Sequence, residues 1–194
     1  MILCLLLVTP LLQTSPVAAQ SDTDRGSNLL LEIAAYGDDS EGASAFYDSL
    51  SPDDQAILIW GWENMTAVDE SPSEPAASGA LGVFSSGCTE RWATQSFYSL
   101  GVQQFRFSSG TGWCWSGATI TSVWSLGTRP DATFLGWSYQ GIWGGGVENW
   151  GTTAYKFSQT HYKLCYAFCI QDAYPWIASY GEADYSFWWN AGGV

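Results

Sequence analysis

Apolar and polar positions alternate along the last two-thirds of the chain in short runs separated by glycine, a pattern that predicts strands. The expected strands are Glu90–Ser99, Val102–Ser108, Gly112–Ser116, Ala118–Ser125, Thr133–Tyr139, Thr153–Ser158, His161–Cys165, Trp176–Tyr180 and Tyr185–Trp189. Ser109-Gly110-Thr111-Gly112, Arg129-Pro130-Asp131 and Gly144-Gly145-Gly146 read as turns between them. Within Gln104-Phe105-Arg106-Phe107 the two phenylalanines share a face, and in Trp113-Cys114-Trp115 the two indoles share one. Many short strands with regular turns indicate a sandwich or barrel. The fold class expected is mainly β, an antiparallel β-sandwich over 81–194 preceded by a short acidic α-helical segment.

Upstream the pattern changes to helical. Asn28–Tyr36 predicts a short helix stopped by Gly37, and Ala43–Leu50 another. Ser51-Pro52-Asp53-Asp54 is the clearest start signal: a serine cap, a proline at the first helical position and two carboxylates at the positive end of the dipole. The helix it opens, running to about Met65, is apolar on nearly all sides and must pack against something. Segment 20–68 is therefore an acidic helical segment, and 69–80, rich in Pro, Ser, Glu and Ala, reads as a linker.

Residues 1–19 carry no charge, with an apolar run Ile2–Val8 and small residues at Val17-Ala18-Ala19. This resembles a signal peptide cut before Gln20, although a positive n-region is lacking. The run is shorter than the roughly 20 residues a membrane span needs, so no transmembrane anchor is expected and the protein should be secreted. Four cysteines follow the leader, Cys88, Cys114, Cys165 and Cys169. An even count in an exported chain favours two disulfides. Three pairings are possible; Cys88–Cys114 with Cys165–Cys169 is favoured. The second bridge requires a turn at Tyr166-Ala167-Phe168, since a straight strand would hold its ends ~13 Å apart.

Charge is unevenly spread. Residues 20–80 hold thirteen acids and one base, Arg25, and residues 81–194 hold six acids and five bases, giving −12 and −1 of the total −13. Neither part offers a basic patch, which argues against nucleic acid as a partner.

The β region holds ten Trp, eight Tyr and eight Phe against fourteen Leu, Ile and Val together, so rings dominate its apolar content. Each ring buries ~150–250 Å². Phe187-Trp188-Trp189 cannot all point inward from one strand, so at least one of Trp188 and Trp189 faces outward or lies beyond the strand end. Either the acidic helices cover the outward rings, through Ile57, Leu58, Trp60 and Trp62, or the rings form a platform for sugars or another apolar partner. The candidate ligand-binding residues are Trp113, Trp115, Trp137, Trp143, Trp188 and Trp189.

Catalytic motifs are scarce. His161 is the only histidine, which is too few for a zinc site beside paired cysteines. There is no Gly-x-Ser-x-Gly elbow and no phosphate- or dinucleotide-binding loop, and Gly37–Gly42 lacks EF-hand ligand spacing. No metal or cofactor is expected. A glycosidase carboxylate pair would have to come from Glu90, Asp131, Glu148, Asp172, Glu182 and Asp184. Tyr185–Gly193 resembles a strand of small secreted jelly-roll xylanases over about nine residues, without segments matching that family's two catalytic glutamates.

Across the mature chain, Ala45-Phe46-Tyr47-Asp48-Ser49-Leu50-Ser51-Pro52-Asp53-Asp54-Gln55, Gly87-Cys88, Trp113-Cys114-Trp115-Ser116-Gly117, Lys156-Phe157, Lys163-Leu164-Cys165 and Tyr174-Pro175-Trp176-Ile177 resemble a class of uncharacterised secreted bacterial proteins. The resemblance implies export, an acidic helical stretch and a Cys/Trp-rich β domain, and carries no activity with it. In that class the last two cysteines stand further apart than here. The function expected is a secreted, non-enzymatic binding protein presenting aromatic surface to a glycan, the cell envelope or a protein. The alternatives are a toxin or bacteriocin with an acidic pro-segment, and a small carbohydrate-active enzyme.

Overall fold

The computed structural model describes residues 16–70, 86–132, 134–165 and 169–193. Three helices come first: α1 (Pro16–Ala34), α2 (Ser40–Ser49) and α3 (Pro52–Glu63). α1 is longer than expected and runs without a break through Ala19 and Gln20; residues 1–15 of the expected leader lie outside the described residues. α2 is capped by Asp39, whose carboxylate accepts from the Gly42 N–H at 2.9 Å. α3 starts where its signal predicts. The Ser51 Oγ accepts from the Asp54 N–H at 3.2 Å and donates to Asp54 Oδ2 at 2.7 Å.

The strands are β1 (Thr66–Glu70), β2 (Ser86–Ser99), β3 (Val102–Ser116), β4 (Thr119–Ala132), β5 (Trp137–Asn149), β6 (Thr153–Cys165), β7 (Cys169–Ala173), β8 (Trp176–Glu182) and β9 (Phe187–Gly192). They form two antiparallel sheets, β1-β2-β3-β4 and β5-β6-β8-β9, with β7 also on β6. This is the expected sandwich-like arrangement, with two pairs of expected strands merged into β3 and β6 and with β1 and β7 added. The start of the expected linker, Asp69 and Glu70, ends β1; residues 71–80 lie outside the described residues.

All three expected turns are strand interior, and for Ser109–Gly112 the reason is a repeated pairing of tryptophan with glycine. Gly110 lies directly opposite Trp92, Gly112 opposite Trp124, Gly87 opposite Trp115 and Gly192 opposite Trp176. At each, an added Cβ would fall within 2.2–3.2 Å of indole atoms. The glycines are seats for rings, a close approach of backbone to side chain, and not turn residues. Arg129-Pro130-Asp131 likewise belongs to β4, an edge of its sheet, where a proline's missing N–H breaks no ladder. Gly144-Gly145-Gly146 lies within β5.

The interior is layered along the strands. At one end Phe105, Phe107, Trp137, Tyr162 and Leu164 join Leu30, Ile33, Tyr47, Leu58 and Trp62 of the helices in one core. At the other end Trp113, Trp115, Ile120 and Ala154 form a second. Between them the inward positions are polar. Ser109 bonds Ser158 across the sheets at 2.9 Å, Thr111 bonds Ser179 at 2.8 Å, and the Lys156 ammonium donates to the carbonyls of Gly110 and Gly127 at 2.7 and 2.8 Å. These bonds satisfy the buried polar atoms that would otherwise destabilise the fold. The helices thus close one end of the sandwich. Trp62 of α3 and Trp137 of β5 donate their indole N–H groups to one buried acceptor, Gln104 Oε1, at 3.1 and 3.2 Å.

Both favoured disulfides form. Cys88 and Cys114 are register partners on β2 and β3, and Cys165 and Cys169 are partners at the β6–β7 junction with Cα atoms 3.9 Å apart. The turn that the second bridge requires, 166–168, lies outside the described residues, but the strands on either side of it run antiparallel.

Candidate functional site

β6 has an unusual polarity that decides where the rings go. Its inward residues are Ala154, Lys156, Ser158, Thr160, Tyr162 and Leu164, and its outward ones include Tyr155, Phe157, Gln159 and His161. The polar middle of the sandwich takes the small hydroxyls and the lysine, so aromatics are left on the outer face. From Tyr155 to His161 they run ~20 Å along the strand at about 3.3 Å per residue.

At one end of this face four rings lie side by side across the strands. Tyr155 of β6 is the register partner of Tyr180 of β8, which is the partner of Trp188 of β9. Tyr180 and Trp188 stack at 5.5 Å and 7°, and Trp150, just past β5, stacks on Tyr155 at 4.5 Å and 13°. Trp150 is held by its indole N–H, which donates to Glu148 Oε2 at 2.7 Å. Yet it is 53% exposed, and Trp188 is 41% exposed. Burial among the rings pushes the Tyr155 hydroxyl pKa up, with smaller contributions from Tyr180 and Glu148.

Phe157 and Trp176 occupy the middle, 6.2 Å apart. Beside them β5 offers Gly146 and Gly144 as the partners of Phe157 and Gln159, so the face is low on that side.

The far end is built by two irregularities. β7 and β8 keep one register along β6, but Pro175, with no N–H to give, interrupts the ladder and leaves Tyr174 beside His161. The two rings stack at 4.6 Å and 10°. Opposite, β5 carries bulges: Ile142 pairs with Thr160 and Gly144 with Gln159, which leaves Trp143 unpaired in the ladder. The bulge turns Trp143 outward, as such extra residues commonly do. It meets Tyr174 and His161 edge-on at 5.2 and 5.9 Å while remaining 65% exposed. His161 Nε2 lies 2.5 Å from Asp172 Oδ1, with Lys163 at 3.9 Å from the same oxygen.

Of the six tryptophans offered from sequence, three thus belong to the interior. Trp113, Trp115 and Trp137 are buried, because their strand face is the inward one, and Trp189 is half-buried beside Phe187. Trp143 and Trp188 reach solvent on the outer face. The residues missed are Trp150, Tyr155, Tyr174, Trp176, Tyr180 and His161. The alternation in Thr153–Cys165 holds the signal for Tyr155 and His161 once Lys156, Ser158 and Thr160 are placed inside. The helices do not cover this face; they close the sandwich end, with Leu58 and Trp62 buried and Trp60 left outside.

The carboxylates do not gather in it. Glu148 and Asp172 sit in opposite clusters, opposite Tyr155 and Lys163, ~26 Å apart along β6 at about 3.3 Å per residue. Glu182 and Asp184 share the Ser186 hydroxyl on the β8–β9 turn, and the bonds from Ser186 hold the Asp184 pKa low, which opposes service as a general acid. Among the described residues no group of three His, Cys, Asp or Glu is placed to hold a metal ion. Nor is any described helix long and apolar enough to cross a membrane. No protein-family model, curated protein or solved structure matches the chain.

Proposed function

We propose that this is an exported, non-enzymatic carbohydrate-binding protein that receives a β-linked glycan along the outer face of β5-β6-β8-β9. The observation that carries the reading is the pair of ring clusters, Trp150/Tyr155/Tyr180/Trp188 and Trp143/His161/Tyr174, packed internally while Trp150, Trp188 and Trp143 stay open to solvent along one outer face. Pyranoses with equatorial substituents carry C–H groups on both faces and hydroxyls at their edges. Rings match the faces, and Glu148, Gln159, Asn190 and Asp172 match the edges. Rings fixed by stacking and by the Trp150–Glu148 bond lose little conformational freedom on binding. A single-stranded nucleic acid would also stack on such rings, but its phosphates need a positive groove, and the chain has a net charge of −13.

Export is supported by the leader-like residues and by two disulfides, which persist in oxidising compartments. Against a removable pro-segment stands the shared core: Leu30, Leu58 and Trp62 pack with Phe105 and Tyr162, so removing the helices would strip the sandwich end.

The test is retention of the protein on insoluble cellulose, xylan and chitin, and titration with their soluble hexamers followed by tryptophan fluorescence. Trp150→Ala and Trp143→Ala should each weaken binding about tenfold, ~1.4 kcal/mol. Retention on none of the three, or full retention by both variants, contradicts the reading.

A further inference from the structure

Lys156 is the one lysine that faces the interior, 3% exposed, and its surroundings are incomplete. An ammonium has three N–H donors. Two go to the carbonyls of Gly110 and Gly127, which the β3–β4 bulge leaves available, since Gly110 pairs with Gly127 but Thr111 with Ser125. Among the described residues no carboxylate lies within 4.0 Å of the amine. Elsewhere in the fold, Arg25 and Arg106 each meet a carboxylate at 2.7 Å or closer. The side chains facing Lys156 from neighbouring strands are neutral: Val147 of β5, Ser109 and Thr111 of β3, and Ser179 of β8. The other buried cation is Arg91 of β2, the register partner of Thr111, and Asp69 lies on the far edge strand, bonded to Gln95.

Lys156 also lines a cavity of about 270 Å³ at the open side of the sandwich, where the edge strands β4 and β5 face each other. Ser125 and Gly127 contribute from β4, Gly145 and Val147 from β5, and Ser158 from β6. Glycine on both walls keeps it open. A buried cation lacking an anion, beside a half-open cleft with hydroxyls and apolar walls, has the elements of a site for a small anion.

We propose that the β4–β5 cleft binds a small organic carboxylate, up to the size of a hexuronic acid, whose carboxylate accepts the remaining N–H of Lys156. The cleft opens between β4 and β5; Phe157 of the outer face borders it, but none of Trp143, Trp150, Tyr155, Tyr180 and Trp188 lines it, and Lys156 and Ser158 reach it from the inward side of β6. Burial without a partner holds the Lys156 amine down at about 8, so affinity for a carboxylate should fall above that pH as the amine loses its proton, roughly tenfold between pH 7 and pH 9.

The experiment is calorimetric titration of the full chain with acetate, glucuronate, neutral glucose and inorganic phosphate at constant ionic strength. Acetate and glucuronate should bind at pH 7 and about tenfold more weakly at pH 9, and glucose should not bind. Lys156→Met removes the cation. Val147→Phe fills the cavity and leaves the amine in place, so the test survives if the first variant does not fold. Carboxylate binding should be lost in both. Absence of binding at millimolar acetate and glucuronate, undiminished binding in Val147→Phe, or phosphate bound more tightly than acetate would overturn the assignment. Retention on polysaccharide should be unchanged in Val147→Phe, which separates failure here from failure of the glycan reading.

Discussion

Replacing Gly112 by alanine tests the pairing of tryptophan with glycine that shapes this fold. Gly112 is buried in β3 and pairs with Trp124 of β4, and an added Cβ would lie 2.2–2.4 Å from three indole ring atoms. Its φ is not in the left-handed region, so the backbone itself accepts alanine. On backbone grounds alone, Gly→Ala at a compatible position stabilises by about 0.4–1 kcal/mol. Against this stands overpacking, about 1–3 kcal/mol, in the upper part of that range here because three atoms of a rigid ring must move away from the added Cβ. The net expectation is a loss of about 1–2 kcal/mol, or a Tm lowered by ~2–8 °C for a chain this size. Urea unfolding followed by fluorescence measures it. Gly146→Ala is the control, since nothing lies within 4 Å of its added Cβ; it should be neutral or slightly stabilising. In Gly112→Ala/Trp124→Val the loss from alanine should shrink, giving a coupling of about 1 kcal/mol. A Gly112→Ala protein as stable as Gly146→Ala would refute the reasoning.

Three further outcomes follow from the same structure. Removing Cys88–Cys114, which spans 26 residues, should cost about 3.5 kcal/mol, and removing Cys165–Cys169, which spans 4, about 2 kcal/mol, both read from urea midpoints of the paired Cys→Ala variants. Ser51→Ala should cost about 1 kcal/mol at neutral pH. The Ser51 bond, then Arg25, hold the Asp54 pKa low; that stabilisation is present above the ordinary carboxylate range and lost as pH falls through it, so the Ser51→Ala deficit should narrow toward pH 3. For Lys156 the sign is opposite to that of a paired lysine. With the folded value at about 8 against 10.5, the unfolded chain holds the extra proton between those limits, and stability rises with pH, by about 2 kcal/mol from pH 7.5 to 9.5. Lys156→Met should lack that rise in urea unfolding.

Sequence pattern and structure agree where local chemistry dominates. Ser51-Pro52-Asp53-Asp54 marks the start of α3 because cap, proline and dipole are all local effects. The two phenylalanines of Phe105-Arg106-Phe107 share the interior because alternation is geometric. Of Trp188 and Trp189, the first faces outward, as the triple ring run requires. The misreadings arise where a partner from another strand decides. A glycine opposite a tryptophan looks like a turn until the pairing is known. β1, with the sequence TAVDE, is short, acidic and exposed; it is a strand only because β2 offers it an edge. Trp113 and Trp115 do share a face, but alternation does not say which one. In β6 the rule of polar outside and apolar inside is inverted at three positions, by bonds of Lys156 and Ser158 to the opposite sheet and of Thr160 to the Pro175 carbonyl beside it, and the outer rings follow from that inversion.

The most direct measurement is an NMR titration of the indole N–H signals with a soluble β-linked hexasaccharide. The account predicts shifts in Trp143, Trp150, Trp176 and Trp188 and none in Trp62, Trp113, Trp115 and Trp137. Shifts confined to the buried set, or none at all with a glycan the protein retains, would contradict it.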